Sequence, residues 1–338
     1  MSEQGHFESL TRRKLLVSTA AAGLWSLSSS SLVFGSMLQS TTKPDLLYGV
    51  PEDRLGATRT QAYRVGLEVT ATGGPCGGLF ATVPIPVDWP EQKIRLDQDD
   101  FSAQVKQVAF RQLDCRVRQM MVSIPLLPVS ETARAVLHLS IERAAILPPV
   151  DPSTFHLPKK LPKSARGSLG TSPLIETRNS KIRDQAKTWL KEDLQNWKLV
   201  ETIYDWVREK TTVIEGKPKG AASVLEKMEG YHGDITALFV ALCRASKVPA
   251  RMVWGPRSSY AEFMLESTDT ERPQWLPCRV VGQRELGGIS EYRPILQKGD
   301  EVRVPEKKQP QRFVAEFMRG KKLAGGGRPK VRFIRESN

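Results

Sequence analysis

The chain is poor in the residues that most often do chemistry. Its 338 residues hold four cysteines and four histidines, and aromatics make up only 7%. Cys76, Cys115, Cys243 and Cys278 lie far apart, and none forms a Cys-x-x-Cys pair. A thioredoxin-like motif and a zinc knuckle are therefore excluded. The triple glycine Gly325-Gly326-Gly327 lacks the frame of a phosphate-binding loop and reads as a turn. No zinc-finger, homeodomain or RNA-binding signature is present, which makes nucleic acid the least expected partner. The sequence calls for no cofactor. No stretch has the ~20 mostly apolar residues of a permanent membrane span.

What is present describes a soluble globular protein. Hydrophobic residues make up 40% and charged residues 26%, enough to bury a core. The length suits two domains and a leader. Lys and Arg number 50 against 37 Asp and Glu, a net charge of +13. That excess suits an anionic envelope polymer or membrane surface, although solvated basic faces account for most such excesses.

Thr11-Arg12-Arg13-Lys14-Leu15-Leu16 precedes an apolar, Ala/Ser-rich stretch that runs to about Gly35. A basic segment followed by an apolar one is the pattern of an export signal. The adjacent arginines fit the twin-arginine type, which directs folded proteins across a membrane. Residues 1–36 are thus expected to be an export signal, with a periplasmic or cell-envelope destination. The run Ser28 to Ser31 argues against a lasting anchor.

Residues 61–147 have the texture of a β-sandwich of immunoglobulin type. Tyr63, Val65, Leu67 and Val69 alternate with polar residues, the period of a half-buried strand. Leu79 to Val83, Met120 to Ile124 and Ala135 to Ile141 read as further strands between glycine turns. Were a disulfide to form, Cys76 to Cys115 is the expected pair, because both lie in this segment. Residues 148–179 are basic and proline-rich and read as a linker.

Helical periodicity then takes over. Ile182, Ala186, Trp189 and Leu190 form one apolar stripe, and Val200, Ile203, Tyr204 and Val207 form a second. A short helix is expected over Ala221 to Met228. Another, over Asp234 to Ala245, is apolar nearly all round and so should be buried. Strands are expected at Ala250 to Trp254, Tyr260 to Leu265 and Trp275 to Val281. Helices followed by antiparallel strands give an α+β layout. Residues 305–338 form a basic C-terminal extension, with strands over Gln311 to Met318 and Lys330 to Ile334.

The stretch Gly230-Tyr231-His232-Gly233-Asp234, the buried helix, Arg244-Ala245 and Val248-Pro249-Ala250-Arg251 together resemble the core signature of the transglutaminase-like superfamily. That signature runs Gly-x-Cys-x-Asp, helix, Arg-Ala, Gly-Ile-Pro-Ala-Arg. Tyr260-Ala261-Glu262 and Trp275-Leu276-Pro277-Cys278 resemble its histidine and aspartate strands. The resemblance implies a papain-like core over residues 180–304, preceded by the β-sandwich.

It also implies where a catalytic triad would stand. In the family a cysteine opens the central helix, a histidine on the adjacent strand takes its proton, and an aspartate orients the histidine. The match puts His232 at the nucleophile position, Ser258 at the base position and Cys278 at the orienting position. A neutral serine cannot act as a general base near neutral pH. The implied protein is a noncatalytic one that binds a peptide, a peptidoglycan fragment or a protein partner, with Tyr231, Asp234, Tyr260, Glu262 and Trp275 as binding residues.

Three enzymatic alternatives remain open at this level. His232 and Cys278 could act as a swapped dyad, Cys243 could be a nucleophile, or His232, Asp234 and Cys278 could hold a metal. The rival function is a cysteine peptidase or acyl-transferase with a rearranged site. Lys247 stands where the family usually has glycine, and it is expected in a left-handed conformation that ends the helix.

If Arg12-Arg13 is an export address, replacing both with lysine should hold the protein in the cytoplasm. Fractionation of cells expressing the double variant checks this, and unimpaired export would rule the twin-arginine assignment out.

Overall fold

The computed structural model describes residues 8–11, 49–191, 196–321 and 323–337. The expected export signal lies outside these residues apart from Glu8–Thr11, a strand at a sheet edge. Among the described residues no helix is long and apolar enough to cross a membrane.

Six strands form the N-terminal part: β1 (Leu55–Thr72), β2 (Cys76–Ile85), β3 (Gln92–Phe101), β4 (Gln107–Gln112), β5 (Arg118–Leu127) and β6 (Thr132–Ile146). The alternation in β1 is realised as expected, with Tyr63, Val65, Leu67 and Val69 fully buried. Strand β3 was not legible as one. Its sequence is mostly polar and charged, and only Ile94, Leu96 and Phe101 pack against the core. An edge strand needs no more than one weakly apolar face, so propensity gives little signal there.

The helical part follows, with α1 (Ser180–Lys191), α2 (Asn196–Lys210), α3 (Ala221–Lys227) and α4 (His232–Ala245). Strands β7 (Ala250–Gly255), β8 (Ser258–Ser267) and β9 (Arg272–Arg279) come next. Helix α4 is buried from Gly233 to Arg244, as its all-round apolar sequence requires. The other three helices pack on it from one side. From the other side, Ala261, Phe263 and Leu265 of β8 share its core. The sheet is antiparallel in the order Glu285–Leu286, β9, β8, β7, Gln297–Lys298. This is the expected α+β core of helices on an antiparallel sheet. Lys247 does take a left-handed φ of 67°, and Val248 N–H donates back to the Cys243 carbonyl.

The chain then returns to the sandwich. Strands β10 (Phe317–Lys321) and β11 (Arg328–Ser337) pair with β2 and β1 respectively. One sheet runs Glu8–Thr11, β4, β5, β2, β10, and the facing sheet runs β11, β1, β6, β3. Both contribute to a single apolar cluster, in which Met318 and Phe333 of the tail take part. The residues read as a basic extension therefore complete both sheets. The proline-rich segment is also packed: Phe155 is buried against Trp197, and Phe155–His156 pairs with β8.

All four cysteines are free thiols, so the expected bridge between Cys76 and Cys115 is not formed. Cys76 is buried in the sandwich core. Cys115 sits in a turn with a φ of 56°, which sends its sulfur toward the Glu301 carbonyl at 3.7 Å.

The two parts meet in a seam that is apolar at one place and ionic at another. Val87, Trp89 and Ile146 pack with Val253, Tyr260 and Ile295. Beside them, the Lys298 ammonium lies 2.6 Å from Glu91 of the sandwich and 2.6 Å from Glu262 of β8. Its charge also faces the Trp89 ring at 5.2 Å. Arg251 adds a second cation on Glu262, at 2.7 Å. Burial alone would raise the Glu91 carboxyl, but Lys298 and Arg143 outweigh it and hold Glu91 well below the usual carboxylate range. A carboxyl depressed in this way stabilises the fold above its unfolded value and ceases to as pH falls through its folded one.

Replacing Lys298 with methionine leaves two carboxylates buried with one cation fewer. The expected loss is roughly 3–5 kcal/mol, the usual cost of breaking a buried pair from one side. Urea unfolding measures it, with the exposed Lys308→Met as the comparison, expected within about 0.5 kcal/mol of the parent.

Candidate functional site

The start of α4 is where the resemblance places catalysis. Tyr231 takes the cap position with extended backbone, and its carbonyl accepts from the N–H groups of Asp234 at 2.7 Å and Ile235 at 3.1 Å. Gly230 just before it is required by packing, because a Cβ there would come 2.6 Å from a Val224 methyl of α3. Asp234, in the first turn, does not cap the helix's own N–H groups. Its carboxylate accepts from the Lys219 backbone N–H at 2.6 Å and from the Arg312 guanidinium at 2.8 Å. Arg312 comes from the returning tail and stacks over Trp254, so a residue 78 positions away fixes the helix start. No reading of local sequence could have supplied that partner.

His232 occupies the first turn of α4, half-buried, with its ring 4.0 Å from the Tyr231 ring. Desolvation lowers its pKa and Arg312 adds to the shift, while Glu215 and Asp234 oppose it. The balance is downward, so the imidazole is neutral at physiological pH. Had Asp234 been free to pair with the ring, the shift would have run the other way; Arg312 occupies it instead.

The strand that should supply a base presents a different serine from the one expected. Ser258 lies at the β7–β8 turn, paired with Gly255 and on the side away from α4. Ser259 shares the parity of Ala261, Phe263 and Leu265, and its Oγ lies 3.7 Å from the position a Gly233 Cβ would take. That Oγ is buried and unpartnered. Two-residue alternation along β8 was signal enough to prefer Ser259 to Ser258.

Cys278 is not brought into this cleft. It is fully buried among Leu276, Val280 and the apolar side of α4, and burial raises its thiol well above the ordinary value. Cys243, in the middle of α4, is equally buried and raised by the same cause. A swapped dyad with His232 and a Cys243 nucleophile therefore both lack a thiolate. Among the described residues, no group of three His, Cys, Asp or Glu could hold a metal.

Three of the expected binding residues are spent on internal contacts. Tyr260 is buried at the seam beside Arg143, and Glu262 is held by Lys298 and Arg251. Trp275 is buried under the Arg251 guanidinium, 4.0 Å from its ring. They build the back of the sheet and face no open cleft. A cavity does adjoin Tyr231 and Asp234, lined also by Glu215 and Lys219, but its volume is about 90 Å³. That is well short of the roughly 300–1,000 Å³ of a ligand pocket.

With this geometry in view, residues 183–287 match the model of the transglutaminase-like superfamily. No curated protein matches the chain. A candidate cysteine protease from Cytophaga hutchinsonii is similar in structure, with a TM-score of 0.51 and 12% identity over 82% of this chain and 100% of that one. Its likeness extends beyond the core into the sandwich, since the core match spans under a third of the chain. The periplasmic domain of TgpA from Pseudomonas aeruginosa, bound to ethylmercury, aligns with a TM-score of 0.32 and 11% identity, over 66% of this chain and 90% of that one. A candidate protease from Parabacteroides distasonis aligns at 0.29 and 11%, over 66% and 47%.

His232 should titrate with a midpoint below its ordinary 6.5. A histidine depressed by folding stabilises the native state above its unfolded pKa, and that contribution fades as pH falls through the folded one. NMR titration of the ring protons reads the midpoint. Urea unfolding between pH 7 and 4.5 should show that His232→Gln flattens part of the acid-side loss.

Proposed function

Taking residues 183–287 as a transglutaminase-like domain, we propose that the chain is an exported, noncatalytic binding or scaffold protein for a peptide, peptidoglycan fragment or protein partner. The observation that carries this reading is the absence of any usable thiolate. The chain has four thiols, none stands at the start of α4, and Cys243 and Cys278 are buried where ionisation is penalised. Cys115 is pushed up to about 11 by burial, and Cys76 is enclosed in the sandwich core. A nucleophilic cysteine needs the opposite environment, exposed and beside positive charge.

The imidazole at the helix start is neutral, its pKa lowered chiefly by desolvation. It serves as a hydrogen-bonding group that shapes the surface. Export is supported by Arg12-Arg13 and the apolar stretch that follows them. The net charge of +13 favours residence near anionic envelope material.

A second reading rests on one observation, the unpartnered Ser259 hydroxyl beside the helix that carries His232. With the imidazole as base, Ser259 would be the nucleophile of a hydrolase. Purified protein should not hydrolyse peptides, join amines to glutamine substrates or react with dilute iodoacetamide at pH 7. Nor should a fluorophosphonate probe label it. Labelling of Ser259 that is lost in His232→Gln would establish the hydrolase reading in place of the first.

A further inference from the structure

A far larger cavity than the one at the helix start opens on the seam between the sandwich and the core, at the far end of the β8–β9 hairpin. Its volume is about 920 Å³. The sandwich contributes Glu52, Leu55 and Lys93, and the hairpin contributes Thr270, Arg272 and Gln274. Three prolines, Pro51, Pro90 and Pro273, complete its walls with Val50. We propose that this cavity binds an acidic peptide, held by the cations of Lys93 and Arg272 and by the amide of Gln274.

The lining chemistry selects that class. Neither Lys93 nor Arg272 has an ion-pair partner among the described residues, although both stand where a ligand carboxylate could reach them. Glu52 offsets one charge, so the described lining residues keep an excess of one positive charge. Gln274 is only 6% exposed, and its amide oxygen has no partner in the protein. A buried acceptor left open is satisfied by a ligand N–H, which a peptide backbone supplies. Among the described residues no aromatic ring lines the space to offer a nucleotide base or a sugar ring a stacking surface. The prolines offer no N–H and the leucine and valine give apolar contact, which suits side chains of an extended peptide.

The inference takes from the functional reading only that the chain binds a ligand, and it does not depend on the state of the helix start. The test is calorimetric titration of the full chain with a blocked tetrapeptide of two glutamates flanked by leucines. A version with glutamines serves as the neutral probe. The acidic peptide should bind saturably at one site, at least tenfold tighter than the neutral one, and more weakly as salt is raised.

The double variant Lys93→Gln/Arg272→Gln should weaken binding at least tenfold at an unchanged melting temperature. Gln274→Leu should weaken it several-fold, also with the melting temperature unchanged, which a purely structural role would not produce. Lys181→Gln/Lys187→Gln, on the remote face of α1, should bind like the parent. The proposal is overturned by absence of saturable binding, by equal affinity for the neutral peptide, or by an equal loss in the remote variant, which would mark diffuse attraction to a basic surface. Peptidase and labelling assays do not report on this cavity, so failure here leaves the noncatalytic reading standing.

Discussion

The Lys298 ammonium, shared between a carboxylate of the sandwich and a carboxylate of the core, is the constraint on which the arrangement of the two parts depends. Glu91 and Glu262 are both fully buried, and Lys298 is the cation they share, with Arg251 a second one on Glu262. A buried charge pair adds little net stability when compared with well-packed apolar residues, but breaking one side of it is costly. The arrangement therefore penalises any other docking of sandwich against core more than it rewards this one. Around it the apolar contacts of Trp89, Ile146, Val253 and Tyr260 supply the nonspecific attraction, and the ions set the register.

The same logic recurs at the two ends of α4. At its start, Asp234 is held by Arg312 of the returning tail. At its end, Arg244 donates to Asp300 at 2.8 Å, to the Ala250 carbonyl, and to Gly170 and Ser172 of the proline-rich segment. The guanidinium spends its fork of donors on three separate stretches of chain. The segments that a sequence reading separates as linker, core and extension are thus joined through the helix that would carry catalysis. The helix start is firmly held, with an imidazole at the position the family resemblance gives to the nucleophile.

An imidazole at the helix start sets electrostatics different from those of a thiol. The dipole of α4 that would favour a thiolate in the enzymes disfavours an imidazolium here, and burial acts in the same direction. Meanwhile the thiols the chain does possess have been withdrawn into apolar surroundings. The larger open volume lies elsewhere, at the seam, lined by Lys93, Arg272 and Gln274, whose amide oxygen has no partner.

The helix α4, its buried character and its left-handed ending at Lys247 were determined locally, by all-round apolar sequence and by the Val248-Pro249 that follows. So was the strand with clean alternation, Tyr63 to Val69, because a two-residue period fixes which face is buried. The same period could have pointed to Ser259 as the residue facing the helix, but the family match put Ser258 at the base position. Tertiary structure alone decided the rest. The polar edge strand Gln92–Phe101 exists because β6 beside it offers a ladder, and the basic tail folds because both sheets of the sandwich lack a strand without it. Asp234 has its partner 78 residues away and Glu91 its partner 207 residues away, and local sequence carries no record of such distances. Periodicity reports the burial of a face, whereas the pairing of charges and the placing of a cavity depend on which faces meet.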